Sequence, residues 1–363
     1  MRIFNLLFVF LLVPISLIGQ IPPGYYDSAN GLTGMALKME LNNIISGHNE
    51  LSYNAVKLAL EDTDEDPNNS LNVILLYKGT SQAKSTFGGG ADDWNREHVW
   101  AKSHGDFGNI APEGTDLHHL RPTDASVNSS RGNKDFDEGG NQHSEATSCY
   151  SDSDSWEPRD EVKGDVARML FYMAVRYEGE NGEEDLELND LVNNGSSPFH
   201  GRLSQLLLWH AADPVDQFEE DRNNSIYGYQ NNRNPFIDHE DYVEQIWGQP
   251  SQIVFNQVYT SPTTVHHQED VLFHCDLGLQ NVTVDSVNLQ WGTNGITFPN
   301  TLSTTSLSNT YSTSTIENYD VNTTVYYRFS VHSNQLPTHY CAVENFTVLP
   351  NVGLDELSFS SWM

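Results

Sequence analysis

Glu97 and His98 stand side by side in WNREHVW (residues 94–100), and Asn128 follows thirty residues later in DASVNSSRGN (124–133). A carboxylate, an imidazole and a carboxamide in this order could hold one hard divalent cation beside one general base. That is the minimum equipment for hydrolysing a phosphodiester. Such a diester is an anion that repels nucleophiles and parts reluctantly from its leaving group. The reaction needs a base for water and a cation for the charge on the phosphate and the leaving oxygen. His98 titrates near neutral pH and suits the base, with its second nitrogen donating to a backbone carbonyl to fix the tautomer. Glu97 and Asn128 offer hard oxygens, an incomplete ligand set typical of Mg²⁺, with Ca²⁺ or Mn²⁺ as alternatives.

Other readings compete for these residues. An isolated Glu-His pair is more often a surface pair or a satisfied core pair. His118 and His119, joined by His98 or His104, would make a Zn²⁺ hydrolase of peptides or esters. Against zinc, no HExxH occurs, and adjacent histidines on a strand point to opposite faces. His118 is then expected in a structural role, or in support behind the site, and not in catalysis. Lys102, Arg121 and Arg131 are the candidates for substrate phosphate, Arg131 standing evenly between phosphate contact and a structural ion pair. Arg233, in the loop NRNPFIDH, is a further phosphate candidate, while Trp94 and Trp100 read as core.

The elements that must position the trio follow from local pattern. Val99 and Trp100 extend a β-prone run from His98, and Asp116–Leu120 also reads as extended, with Pro122 ending it. Thr123 or Asp124 can cap a helix that carries Asn128 in its first or second turn. Strand, loop, strand and helix make a finger able to bring His98 and Asn128 to one point. Asp160–Glu178 is a helix with an apolar stripe through Val162, Val166, Leu170, Met173, Ala174 and Tyr177, stopped by Gly179. Further helical patterns cover Met35–Ile45, Leu203–His210, Val215–Tyr229 and Tyr242–Trp247, with 231–239 an irregular polar loop.

At 363 residues the chain exceeds one typical domain. Arg2 and the apolar run Ile3–Ile18 read as a signal peptide (1–20), so the protein is expected to be exported to the periplasm or medium, with no membrane association. Composition shifts near Pro250. Beyond it Thr, Ser, Val and Asn dominate, Arg328 is the one Lys or Arg, and Ser286–Trp291, Thr324–His332 and Val343–Leu349 alternate like strands. This predicts an immunoglobulin-like or fibronectin-like β-sandwich over 251–350 and a tail over 351–363. Cys275 and Cys341 lie in that module and could pair, whereas Cys149 is left as a small packing residue. The net charge of −32 argues against a polyanionic partner, yet Trp94–Lys134 carries five basic and five acidic residues and is neutral before any cation is counted.

Several long motifs in order, WNREHVW, DLHHLRPTDASVNSSRGN, EPRDEVKGDVARMLFYMAVRYEG and DPVDQFEEDRNNSIYGYQNNRNPFIDHEDYVEQIW, resemble the secreted endonuclease I family of bacteria over about 25–250. The resemblance implies a His-Me finger (ββα-metal) fold: an α+β, helix-rich catalytic domain over 21–250, followed by the all-β sandwich. It further implies His98 as the base, Glu97 and Asn128 as ligands of one Mg²⁺, and sugar-non-specific cleavage of DNA, and RNA as well, to 5′-phosphate products. No protein partner is expected, and the enzyme reads as a monomer. The family's phosphate-clamping arginine sits in a loop that here (101–115) is short and holds no arginine. Cys149, too, stands alone where relatives carry cysteine pairs. The alternative reading is a secreted adhesion or glycan-binding protein whose sandwich carries the function.

Overall fold

The computed structural model describes residues 21–249, 252–313, 319–333, 336 and 338–351. The expected signal peptide and nearly all of the C-terminal tail lie outside them. The chain divides into two units, one ending at Gly248 and one beginning at Gln249.

The first unit is built from eight helices among the described residues: α1 (Gly34–Ile45), α2 (Tyr53–Thr63), α3 (Ala125–Arg131), α4 (Lys163–Arg176), α5 (Leu203–Ala212), α6 (Gln217–Gln230), α7 (Pro235–Asp238) and α8 (Asp241–Trp247). The residues expected as an irregular loop, 231–239, therefore include a short helix. Its Pro235 takes the first helical position, and the Asn234 side chain accepts from Phe236 N–H. The expected helix at Asp160–Glu178 begins with a 3₁₀ turn at Asp160–Val162 and runs as α4 to Arg176. Its stripe understates it, because Gly164 through Arg176 are buried all round, polar residues included.

The finger is two antiparallel strands, β1 (Trp94–His98) and β2 (Leu120–Asp124), followed directly by α3. Pro122 does not end β2 but sits within it opposite Arg96, and its carbonyl accepts from Leu76 N–H at 2.9 Å. Residues 117–119, expected as extended, form a 3₁₀ turn whose start is fixed by the Asp116 side chain accepting from His118 N–H. Asp124 is the α3 cap, its Oδ1 accepting from Ser126 N–H at 3.0 Å and Val127 N–H at 3.3 Å. Gly132 stops the helix at φ +63°.

The second unit is a β-sandwich. One sheet runs β3 (Gln252–Ser261), β4 (Leu272–Gln280), β8 (Thr310–Ser312) and β7 (Thr305–Leu307); the other runs β6 (Asn300–Ser303), β5 (Val284–Gly292), β9 (Thr324–Ser333) and β10 (His339–Tyr340), with β11 (Glu344–Thr347) also on β9. All of these pairings are antiparallel. Phe273, Cys275 and Leu277 of one sheet share a core with Val287, Leu289, Phe329 and Val331 of the other. Cys275 and Cys341 are both free thiols here, as is Cys149, so no bridge joins the pair that sequence allowed. No helix among the described residues is long and apolar enough to cross a membrane.

Candidate active site

Side chains alternate along β1, so Asn95 and Glu97 face one side, and Arg96 and His98 the other. A cleft of about 560 Å³ is lined by Asn95, Arg96, Glu97, His98, Lys102 and Asn128, with Tyr53 and Phe87 on its wall. The three residues singled out by chemistry are thus brought together.

Each is held by one atom with another left over. His98 Nε2 lies 3.1 Å from the Gly114 carbonyl. It donates there, which leaves Nδ1 as the lone-pair nitrogen, without a partner among the described residues. Gly114 owes its identity to crowding: a β-carbon there would sit 2.6 Å from the Gly108 carbonyl oxygen, and only a bare backbone lets the loop fold tightly enough to present that carbonyl. Glu97 Oε1 accepts from the Tyr77 hydroxyl at 2.7 Å and lies 3.4 Å from Arg131 Nη1, leaving Oε2. The Asn128 amide nitrogen donates to Asn95 Oδ1 at 2.7 Å and to the Arg96 carbonyl at 3.2 Å, which turns its oxygen outward. One carboxylate oxygen and one amide oxygen of this kind suit a hard divalent cation.

Burial sets the protonation states. It drives His98 well below the usual histidine range, with the His119 imidazole acting the same way, so His98 is neutral at physiological pH. Burial raises Glu97 above the usual carboxylate range, against the opposing pull of Arg131 and of the Tyr77 hydrogen bond.

The predicted basic residues divide. Lys102 lines the cleft and is exposed, its amine on Asn109 Oδ1 at 2.8 Å. Arg121 does not reach the cleft: it is 1% exposed, with Nε 2.6 Å from Asp64 and Nη1 3.1 Å from Asp165. Arg131 is equally buried and donates to the His98 and Val99 carbonyls at 3.0 and 2.7 Å. It fastens the end of β1 from behind and offers substrate nothing. Arg233 is held by Asp238 at 2.6 Å.

Of the two roles expected for His118, the structure gives it the structural one. Its ring packs on Tyr172 at 4.3 Å, and its backbone joins the shell of donors around buried Asp116, which includes the Tyr172 and Tyr177 hydroxyls and Gln230. The neighbour of His98 is His119, at 5.5 Å between ring centroids. The 3₁₀ turn at 117–119 exchanged the two histidines relative to a strand. His104 gathers with His200 and Asp135 instead of with His118 and His119. The His104 nitrogens lie 2.6 and 2.8 Å from the Phe199 and Asn133 carbonyls; Asp135 accepts from Asn194 and Gly201, and His200 Nε2 accepts from Arg131. These atoms are already engaged with protein, which speaks against a metal there.

Sequence reasoning missed Tyr77, Tyr53 and Arg96. For Arg96 a signal existed, since it lies two residues before His98 and therefore on the same strand face.

The chain matches the family pattern Endonuclease I over residues 33–241. It is 63% identical over 224 residues to an extracellular ribonuclease of Bacillus amyloliquefaciens and 62% identical over 224 residues to one of Bacillus subtilis (strain 168), each alignment covering 61% of this chain and 78% of the relative. A solved structure, CopC from Methylosinus trichosporium OB3b, aligns over 27% of this chain and 99% of its own at 14% identity and a TM-score of 0.20.

Proposed function

Because the chain belongs to the endonuclease I family, we propose that this nuclease is exported and cleaves RNA and DNA without sequence specificity, using one Mg²⁺ and water activated by His98. The observation that carries this reading is that Glu97, His98 and Asn128 line one cleft, each with a polar atom (Oε2, Nδ1 and Oδ1) that makes no hydrogen bond among the described residues. RNA is the substrate named for its two Bacillus relatives, and both are described as extracellular.

Glu97 and Asn128 would hold the cation, which when bound supplies positive charge beside the phosphate and the leaving oxygen. His98 Nδ1 takes a proton from water as the water oxygen attacks phosphorus. The P–O3′ bond breaks, the 3′-oxygen takes up a proton from solvent, and the products are a 5′-phosphate and a 3′-hydroxyl. The Gly114 carbonyl holds the imidazolium in place until it releases its proton. Burial keeps His98 a free base at neutral pH, so cleavage should weaken only in acid.

Removing a general base of this kind costs about 10²–10⁴ in rate. Plasmid and RNA cleavage by wild type and His98→Ala, each with and without EDTA, tests the reading. Loss of cleavage with EDTA and in the variant is expected, with folding intact by circular dichroism. Full activity of His98→Ala would remove the base, and activity undiminished by EDTA would remove the metal.

A further inference from the structure

The cleft lacks the loop arginine that the family resemblance leads one to expect, and two of the three basic residues proposed from sequence turn out to serve the protein interior. Among the described residues lining the cleft, the cationic side chains are Arg96 and Lys102. We infer that Arg96, locked against Tyr53, is the residue that grips the scissile phosphate. This rests on the reading of the cleft as a nuclease site and names a substrate-binding residue within it.

Three observations carry the inference. The first is position: Arg96 and His98 project from the same face of β1, roughly 7 Å apart along the strand. Both lie against one ring, since the Arg96 guanidinium carbon is 3.6 Å from the Tyr53 centroid and the His98 ring stacks on Tyr53 at 6.0 Å and 22°. Tyr53 therefore sets the base and the guanidinium in a fixed relation.

The second is preorganisation. Arg96 Nη1 donates to the Tyr53 carbonyl at 2.5 Å, and Phe87 lies 5.1 Å from the guanidinium carbon. One of five N–H donors is thereby used, and the others have no partner among the described residues. A half-buried guanidinium flat on an aromatic ring keeps its charge and its planar fork while losing little rotamer freedom on binding. That is the geometry for two oxygens of one phosphate.

The third is the contrast with Lys102, which is exposed, flexible and directed at Asn109. A point charge there can attract a polyanion but cannot orient it.

The test is steady-state cleavage of a fluorescent oligonucleotide by full-length wild type, Arg96→Lys, Arg96→Ala and Lys102→Ala, with oligonucleotide binding measured against salt in the His98→Ala background. Arg96→Ala is expected to lower kcat by about 10²–10³, the scale of a lost donor to transition-state charge. Arg96→Lys should recover part of this, and Lys102→Ala should change chiefly KM. In the His98→Ala background, loss of Arg96 should flatten the log Kd against log salt slope by about 0.7–0.9, one phosphate contact. A structural role alone would leave that slope unchanged. A kcat within threefold of wild type in Arg96→Ala, or an unchanged slope, overturns the inference. If Arg96→Ala fails to fold, Arg96→Lys decides in its place: full kcat and an unchanged Mg²⁺ requirement would overturn the planar-fork argument. Inactivity of His98→Ala alongside an active Arg96→Ala would sink this inference and spare the nuclease reading. Activity of His98→Ala would sink the reading itself.

Discussion

In the sandwich the buried polar residues among those described are Thr260, Thr313 and Ser330, with no charge, whereas the nuclease unit buries Arg121, Arg131, Arg168, Arg222, Asp64, Asp116, Asp135, Glu97 and Glu219, with His98, His104, His118, His119 and His200. The sandwich is held by apolar side chains that alternate along strands, the arrangement that removes the most apolar surface with the fewest polar debts. The nuclease unit instead gives its buried charges hydrogen-bonding partners, many of them drawn from distant parts of the chain. Arg168 meets Glu219 in a bidentate pair, and four side chains donate their hydrogen bonds to Asp116 or to residues bound to it. Such pairs contribute little net stability, because desolvation offsets their attraction. What they provide is a dry frame in which a neutral imidazole and a carboxylate are held in fixed orientations. The difference between the units is the difference between an apolar core and a polar frame around a cleft.

Acid should separate the two most. His119 and His200 are each lowered to about 4 by burial, and His118 to about 3, while in the unfolded chain they take protons near 6.5. The unfolded state therefore binds more protons between those values, and the stability these groups give above pH 6.5 is lost as pH falls toward 4. Below about 3.8 the carboxyl of Asp116 adds to the loss. Burial pushes it up, but His48, His118 and Gln230 outweigh burial and hold it beneath the ordinary range. A tenfold change in proton affinity is worth about 1.4 kcal/mol, so the three histidines together account for several kcal/mol. The sandwich buries no histidine among its described residues. Calorimetry of the whole chain from pH 7 to 4.5, with hydrogen exchange assigning each transition, should show the nuclease unit's melting temperature fall first. Parallel decline of both transitions would refute the contrast.

Next in size are paired substitutions. Arg168→Met strands Glu219 without its partner in the interior and should cost about 3–5 kcal/mol, taking cleavage with it. Phe329→Ala leaves a cavity in the sandwich and should cost about 3–5 kcal/mol there, with cleavage intact. Urea unfolding beside a plasmid assay checks both. Cleavage lost in Phe329→Ala, at a temperature where the nuclease unit remains folded, would mean that the site depends on the sandwich.

The same contrast decides how much could be read from sequence. The sandwich strands at Ser286–Trp291 and Thr324–His332 were legible because a one-sided core writes itself as period two. The α4 stripe, the Asp124 cap and the Glu97–His98–Asn128 trio were legible for similar local reasons. Arg121 and Arg131 were not, since a charge carries no mark of burial and its partners, Asp64, Asp165 and the His98 and Val99 carbonyls, are joined to it only by the fold. Pro122 misled because a missing N–H is tolerated wherever the ladder does not ask for it. His118 and His119 exchanged places because three residues took a 3₁₀ turn, a choice set by the Asp116 side chain and not by hydrophobic period.

The smallest expected effect is the sharpest probe of what the polar interior is for. Tyr77→Phe keeps the ring and its packing against Trp156, 5.3 Å between centroids, and deletes only the hydroxyl that donates to Glu97 Oε1. As a lost hydrogen bond it should cost about 1–3 kcal/mol of stability, too little to unfold the unit. If the hydroxyl exists to aim Glu97 Oε2 at a cation, the consequence lies in metal affinity. Partners of metal ligands are worth about 10–100-fold, so the Mg²⁺ concentration giving half-maximal cleavage should rise by that factor. The rate at saturating Mg²⁺ should recover toward wild type, because Arg131 still flanks the carboxylate and His98 keeps the Gly114 carbonyl. An unchanged Mg²⁺ requirement with a lower saturating rate would give the opposite lesson, placing the hydroxyl in catalysis and Glu97 outside the metal's shell.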